Sequence, residues 1–289
     1  MPKQLFRGQL FQGGLFRPAN LYTGGTIQSV AVNASPVEWM ALVASFPATV
    51  APTYAAADQG TGSYVHGTPF LTNPVATVPG DVITLVVGGT PGGLNSVPPN
   101  VVTINGVPLT LLRRVVSIGD PDLIDLELPW IDLWYLVNAG LTGSYAISVG
   151  TSGVTPPTPE VIAYSVQVSK SLTGSVADSD GDAQNYQTWD GNPAVGPVRY
   201  SASCNLLLAA FWMRNDGDDG PFGPLPDGFT GWVSPFVDTG QDEQATNAAS
   251  ETFRLVTGVL IIGAAASRLA YFESVQTWQP WLSIVQPEL

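Results

Sequence analysis

Short apolar runs of strand length, each closed by Gly, Pro or Asn, recur along this chain and constrain its fold more than any other feature. Gly80-Asp81 precedes Val82 to Val87, which ends at Gly88-Gly89. Val101 to Leu112 reads as two strands around Asn105-Gly106, the dipeptide suited to a type I′ hairpin turn. Trp134 to Val137 and Ser144 to Val149 read as the next pair, separated by Asn138-Ala139-Gly140. Val30 to Ala34, Val161 to Val168, Asn205 to Trp212, Thr252 to Ile262 and Leu269 to Phe272 add further strands. Val37 to Phe46 is readable either as one or two helical turns or as a strand. Gly (31) and Pro (25) make about a fifth of the 289 residues, which favours turns over helices. The expected class is all-β: an antiparallel sandwich or jelly roll.

Residues 1–25 read differently from the body at 26–289. Leu5-Phe6, Leu10-Phe11 and Leu15-Phe16 recur every five residues, followed by Arg7, Gln12 and Arg17. A period of five fits neither the helical stripe nor strand alternation, and Gly8, Gly13 and Gly14 loosen the segment further. This predicts an extended arm with three apolar anchors. It either folds back on its own domain or inserts into pockets of another subunit, and exposing six large apolar residues favours insertion. Thr155-Pro156-Pro157-Thr158-Pro159 reads as a stiff loop between strands that could share one sheet. A division of the body near 153–160 is the alternative.

Charge follows the same division. Only 11% of residues are charged, against about 25% in an average protein. Residues 1–17 carry Lys3, Arg7 and Arg17 and no acid, while the remainder holds 7 basic and 23 acidic residues. A body this acidic repels phosphate backbones, so nucleic acid is not an expected partner. The most apolar window, Leu255 to Ala266, is too short for a membrane-spanning helix. The start lacks the continuous apolar stretch of a secretory signal. The expectation is a soluble protein made in the cytoplasm and not exported by a classical route.

Conventional catalytic signatures are sparse. His66 is the sole histidine, in a loop-like context, and Cys204, the sole cysteine, lies beside Leu206-Leu207-Leu208 and reads as core. No nucleophile elbow, P-loop or dinucleotide fingerprint occurs. Asp120, Asp122, Asp125, Glu127 and Asp132 could supply a glycosidase with its two acids, yet they read as a solvated strand edge. Asp178, Asp180 and Asp182 stand at alternate positions like the first half of a calcium loop, although Gly181 is misplaced and the downstream bidentate acid is missing. These three are the calcium candidates, with solvated turns as the competing reading, and Asn215 to Gly220 is a second acidic loop of that kind. The long polar connections Ser169 to Pro197 and Asn215 to Thr230 are expected to carry function or contact a neighbour. Trp130, Trp134, Tyr135, Trp189, Trp212, Trp232, Trp278 and Trp281 fit core or subunit interface better than sugar-stacking platforms.

Trp134-Tyr135-Leu136-Val137-Asn138 followed by Gly143 to Val149 resembles a family of β-sandwich proteins of tailed bacteriophages. Gly80-Asp81-Val82 and Ile162 to Val166 fit the same texture, and the Leu-Phe arm is similar to the starts of small phage virion proteins. The resemblance covers residues 1–25 and 75–210. It implies a non-enzymatic virion protein: a capsid decoration or cement protein, or a minor capsid protein, docked through Leu5, Phe6, Arg7, Leu10, Phe11, Leu15, Phe16 and Arg17. The implied partners are the major capsid protein or other virion subunits, with homo-oligomers expected. A head or tail fibre, or a module binding a glycan receptor through the Trp-rich and Asp-rich loops, is the alternative.

Overall fold

Cys204–Arg214 is apolar at almost every position, with no polar face to turn to solvent, so a strand here must be covered on both sides. In the computed structural model it is such a strand. The structure describes residues 25–27, 29–34, 36, 38–65, 67–91, 98–117, 128–152, 159–184, 193–201, 204–214, 229–246 and 252–263. In chain order the strands are β1 (Gly25–Ile27), β2 (Val30–Asn33), β3 (Glu38–Tyr64), β4 (Phe70–Leu71), β5 (Val75–Thr77), β6 (Val82–Pro91) and β7 (Val101–Ile104). There follow β8 (Val107–Pro108), β9 (Thr110–Val116), β10 (Trp130–Val137), β11 (Gly143–Tyr145), β12 (Ile147–Gly150), β13 (Glu160–Leu172) and β14 (Asp178–Gln184). The last are β15 (Ala194–Val195), β16 (Val198–Tyr200), β17 (Cys204–Arg214), β18 (Gly231–Trp232), β19 (Val237–Thr246) and β20 (Thr252–Ile262). The protein is an all-β antiparallel sandwich, with no helix among the described residues.

Its frame is a nine-stranded sheet ordered β19-β20-β17-β3-β13-β6-β10-β9, with β14 added against β3. All nine strands send side chains into one apolar cluster, so the sheet curls around a common lumen. Strand alternation decides which core each side chain joins. On β3, Met40, Leu42, Ala44 and Phe46 point into the lumen, while Trp39, Ala41 and Val43 point outward. On β17, Leu206, Leu208, Ala210 and Trp212 face the lumen, while Leu207, Ala209, Phe211 and Met213 face out. That second core is covered by the β15-β2-β18 sheet and the β1–β16 pair. A third core lies outside β6, β10 and β13, built on Ile83, Leu85, Trp130, Ile162 and Tyr164, beneath the β4-β12-β7-β8 sheet and the β5–β11 pair.

β3 is the spine of the sheet. Val37 to Phe46, ambiguous in sequence, belongs to a strand of 27 residues. Its first half pairs with β17 on one edge and with β14 on the other. Its second half pairs with β13, and the register breaks opposite Lys170/Leu172. There Ser171 takes φ 67°, and Thr49 Oγ1 donates to the Ser171 carbonyl at 3.5 Å. Such a bulge bends the strand as it passes from one core to the next.

Several glycines receive an aromatic ring from the neighbouring strand. Gly89 lies opposite Trp130 and Gly25 opposite Tyr200; a Cβ at either would come within 2.5 Å and 2.3 Å of the ring, respectively. This covering of strand glycines by aromatics explains part of the glycine content without turns. The Asn105-Gly106 hairpin forms as expected, with φ 48° and 76°.

Three expectations are corrected. Trp134–Val137 and Ser144–Val149 do not pair with each other: β10 lies between β6 and β9, β11 pairs with β5, and β12 pairs with β4 and β7. The strands flanking the Pro-rich segment 155–159 do not share a sheet, since β12 and β13 face each other across the third core. Residues 169–197 are not one long loop, because β13 runs on to Leu172 and β14 begins at Asp178. Turn-forming residues there yield to an available β3 edge, where tertiary pairing overrides local propensity.

Candidate functional site

An open cleft of ≈650 Å³ lies among the described residues, its walls built mainly from small side chains. One wall is the sheet surface at Tyr54, Ala55 and Ala57 of β3 with Val168 and Lys170 of β13; the other is Ala76 of β5 and Ser144 of β11. Asn138 fixes the second wall. Its Nδ2 donates to Thr77 Oγ1 (2.7 Å), the Val78 carbonyl (2.9 Å) and the Leu141 carbonyl (2.8 Å). Its Oδ1 accepts from the amides of Gly140 (3.0 Å) and Leu141 (2.7 Å). Asp81, buried in the same wall, accepts from the Val78 amide at 2.9 Å. The Gly80-Asp81 and Asn138-Ala139-Gly140 turns are therefore tied together, and they hold β5–β11 off the sheet.

Beside the cleft, Asp58 clasps two elements to β3. It accepts from the Asn73 amide (2.9 Å), Asn73 Nδ2 (3.0 Å) and Tyr164 Oη (2.9 Å). Burial, followed by that hydrogen bond and the charge of Asp58, pushes the Tyr164 phenol above its ordinary range.

Cations of the body are largely engaged within it. Arg114 grips Asp132 with two bonds, Nε to Oδ1 at 2.7 Å and Nη2 to Oδ2 at 2.6 Å, and also donates to the Pro99 carbonyl at 2.6 Å. Trp134 Nε1 adds a bond to Asp132 at 3.2 Å. Burial pushes the Asp132 carboxyl upward, and Arg114 opposes that shift. Tyr64 is raised by its own burial, then by the charges of Glu160 and Asp132. Arg214 pairs with Glu38 at 3.0 Å, Arg254 with Asp242 at 3.2 Å, and Arg113 with Asp180 at 3.4 Å.

This geometry corrects two sequence readings. Asp132 is not on a solvated edge: it is fully buried on an interior strand of the sheet. Asp178, Asp180 and Asp182 lie not in a loop or turn but on β14, hydrogen-bonded along β3. Asp178 accepts from the Arg199 amide at 2.9 Å, Asp180 pairs with Arg113, and Asp182 accepts from the Ala183 amide at 2.8 Å. Among the described residues no three acidic, His or Cys side chains are gathered as metal ligands.

Trp130, Trp134 and Trp212 are core residues, as expected, and Trp232 is half-buried against Phe211 and Phe236. Cys204 is likewise buried. The anchors Leu5, Phe6, Arg7, Leu10, Phe11, Leu15, Phe16 and Arg17 lie outside the described residues. So do His66, Asp120, Asp122, Asp125, Glu127, Trp189, Trp278, Trp281, residues 215–220 and the strand expected at Leu269 to Phe272. Sequence reasoning missed the cleft. Gly80-Asp81 and Asn138 marked its turns, but nothing local indicates that the two turns meet.

No protein-family model, curated protein or solved structure matches the chain.

Proposed function

We propose that this chain is a non-enzymatic structural protein of a tailed-phage virion, which decorates or cements the capsid and joins it through the Leu-Phe arm. One observation carries the reading: an arm with three Leu-Phe pairs and three basic residues precedes a body of 7 basic and 23 acidic residues. Apolar anchors on a basic tether, borne by an acidic body, suit docking to another subunit. The resemblance of residues 75–210 to phage sandwich proteins supports the same assignment. So does the ionic chemistry of the body. Arg113, Arg114, Arg214 and Arg254 each neutralise a carboxylate of the same fold, which suits a scaffold. Shared contacts between such subunits stabilise a shell by mass action.

Deletion of residues 1–17 tests the reading. The truncated chain is expected to fold, by circular dichroism and thermal melting, and to be absent from purified particles that contain the full-length chain. A truncated chain that still enters particles overturns the role of the arm. Imaging of particles labelled at the C-terminus supplies the second arm of the test. A lattice of labels over the head supports decoration, signal at the tail tip replaces it with the fibre reading, and unlabelled particles remove the virion role.

A further inference from the structure

Beside the cleft, one edge of β3 at Thr53–Ala57 is paired with no strand among the described residues. Thr53–Ala56 is hydrogen-bonded to β13 along one side. On the other side, β17 pairs only with Glu38–Ala48, and β19 reaches β3 through the Gln241 side chain at the Asp58 carbonyl. Among the described residues no strand pairs with that second edge between Thr53 and Ala57, and Ala55, Ala56 and Ala57 are exposed. An open strand edge is a template for another extended chain: main-chain hydrogen bonds supply affinity, and alternate side chains enter adjoining pockets. Here the adjoining pocket is the cleft, walled by Tyr54, Ala57, Ala76 and Val168. Its ≈650 Å³ falls within the range of about 300–1,000 Å³ that binding pockets span.

We propose that the arm of a second copy of this chain adds as a strand to β3 at Thr53–Ala57 and seats the phenylalanine of a Leu-Phe pair in the cleft, with the adjacent leucine on the opposite face. The inference rests on the docking role proposed for the arm. Three observations select this occupant. The arm has the required chemistry, with apolar pairs spaced by glycines in a segment without helical or strand period. Its three basic residues are drawn to a body that is net acidic. Its root also lies on the far side: β1 pairs with β16 over the second core, whereas the cleft opens beside the third. The 24 residues preceding β1 extend to about 80 Å, enough to reach a neighbour. Within the cleft, Asp81 and Lys170 give one charge of each sign, so the phenylalanine rather than an arginine makes the local fit.

A photo-crosslinking residue replaces Phe11 in the full-length purified chain, and isotopically light and heavy protein are mixed before irradiation. The expected products are light–heavy adducts joining position 11 to residues 53–57 or 74–78. Adducts within one copy, adducts elsewhere on the body, or no adduct between copies overturn the proposal. Two exposed substitutions, Ala57→Trp and Ala76→Arg, are expected to lower the adduct yield at least tenfold and to shift sedimentation toward the monomer, with the melting temperature unchanged. Unchanged yield and sedimentation in both variants also overturn it. Because purified protein suffices, the outcome is separable from the virion role. Cleft adducts from a chain absent from particles keep the strand exchange and remove the capsid reading, while particle incorporation without cleft adducts does the reverse.

Discussion

At one end of the lumen inside the curled sheet, Met40 of β3 lies opposite Trp212 of β17, Leu42 lies one lumen position along, and Trp212 stacks on Phe253 at 5.4 Å. At the other end β6, β13 and β20 contribute Thr84, Ser165, Gln167 and Thr257, all buried, with Gln241 inserted from β19. Gln241 uses its full capacity: Nε2 donates to the carbonyls of Asp58 (2.8 Å) and Val166 (3.0 Å), and Oε1 accepts from Ser165 Oγ (2.6 Å) and Gln167 Nε2 (3.0 Å). The apolar end gains from area removed from water, a force without direction. The polar end gains little net energy per bond but admits one arrangement, because any slip leaves buried groups unpaired. Gln241 sits where the register of β19 breaks between Asp238 and Asp242, so its side chain holds that bulge against β3 and β13. The comparison suggests a division of labour: apolar filling stabilises the lumen, and the amide network specifies how β19 closes it.

The apolar end should carry the larger cost when broken. Trp212→Ala removes a fully buried ring that spans to β6, where a Cβ at Gly88 would lie 2.7 Å from Trp212 Cδ1. The expected loss is about 4 kcal/mol in denaturant unfolding. A loss below about 1 kcal/mol would mean that the lumen can collapse around the void, and the comparison would fail at its first term.

Arg114→Met extends the test to a buried charge outside the lumen and should cost about 3 kcal/mol at neutral pH, because Asp132 is left without its counter-ion. Burial already raises the Asp132 carboxyl, and the substitution raises it further. A carboxyl raised in the folded state keeps stability at low pH, where it is protonated in both states, and loses it as pH rises from the ordinary carboxylate range through the folded value. The difference from wild type should therefore be smaller near about pH 4 than near about pH 8. Equal differences at both would show that Asp132 is not the uncompensated group.

Gln241→Leu comes next, at about 2 kcal/mol, since it strands Ser165, Gln167 and two carbonyls. Combined with Gln167→Leu the loss should be less than additive, because the second substitution removes a group that the first left unpaired. Strict additivity in urea unfolding would mean that the two amides do not act as one network.

Much of the frame was legible in the sequence, and for a physical reason. Thr252 to Ile262 and Asn205 to Trp212 are strands because long apolar runs between turn residues have few other solutions. The pairing was not legible, since Trp134–Val137 carries no local mark of whether its neighbour is the next strand or one 49 to 55 residues earlier. β14 was misread because Asp-Ser-Asp-Gly-Asp is turn chemistry, and only the β3 edge makes it a strand. Asp132 was misread for a related reason: grouped with Asp120, Asp122, Asp125 and Glu127 it looks like one acidic edge, and its partner Arg114 arrives only from the adjacent strand. The cleft and the open β3 edge arise from segments far apart in sequence, so no window of residues contains them.

Glu243→Gln gives the smallest effect and sharpens the comparison at a half-buried position of β19, opposite Leu255. Glu243 is half-buried, and its carboxyl is raised by burial first, then by the charges of Asp242 and Asp58, with Gln59 opposing. Its ionisation therefore works against the folded state, with stability present below the ordinary carboxylate range and lost as pH rises through the folded value. Replacing it by the neutral amide should raise stability at about pH 8 by up to about 0.5 kcal/mol and leave it unchanged near about pH 3. Added salt should shrink the gain by screening Asp242 and Asp58. A gain independent of both pH and salt would point to packing rather than charge. The polar side of β19 would then be shaped by fit alone, as the apolar end of the lumen is.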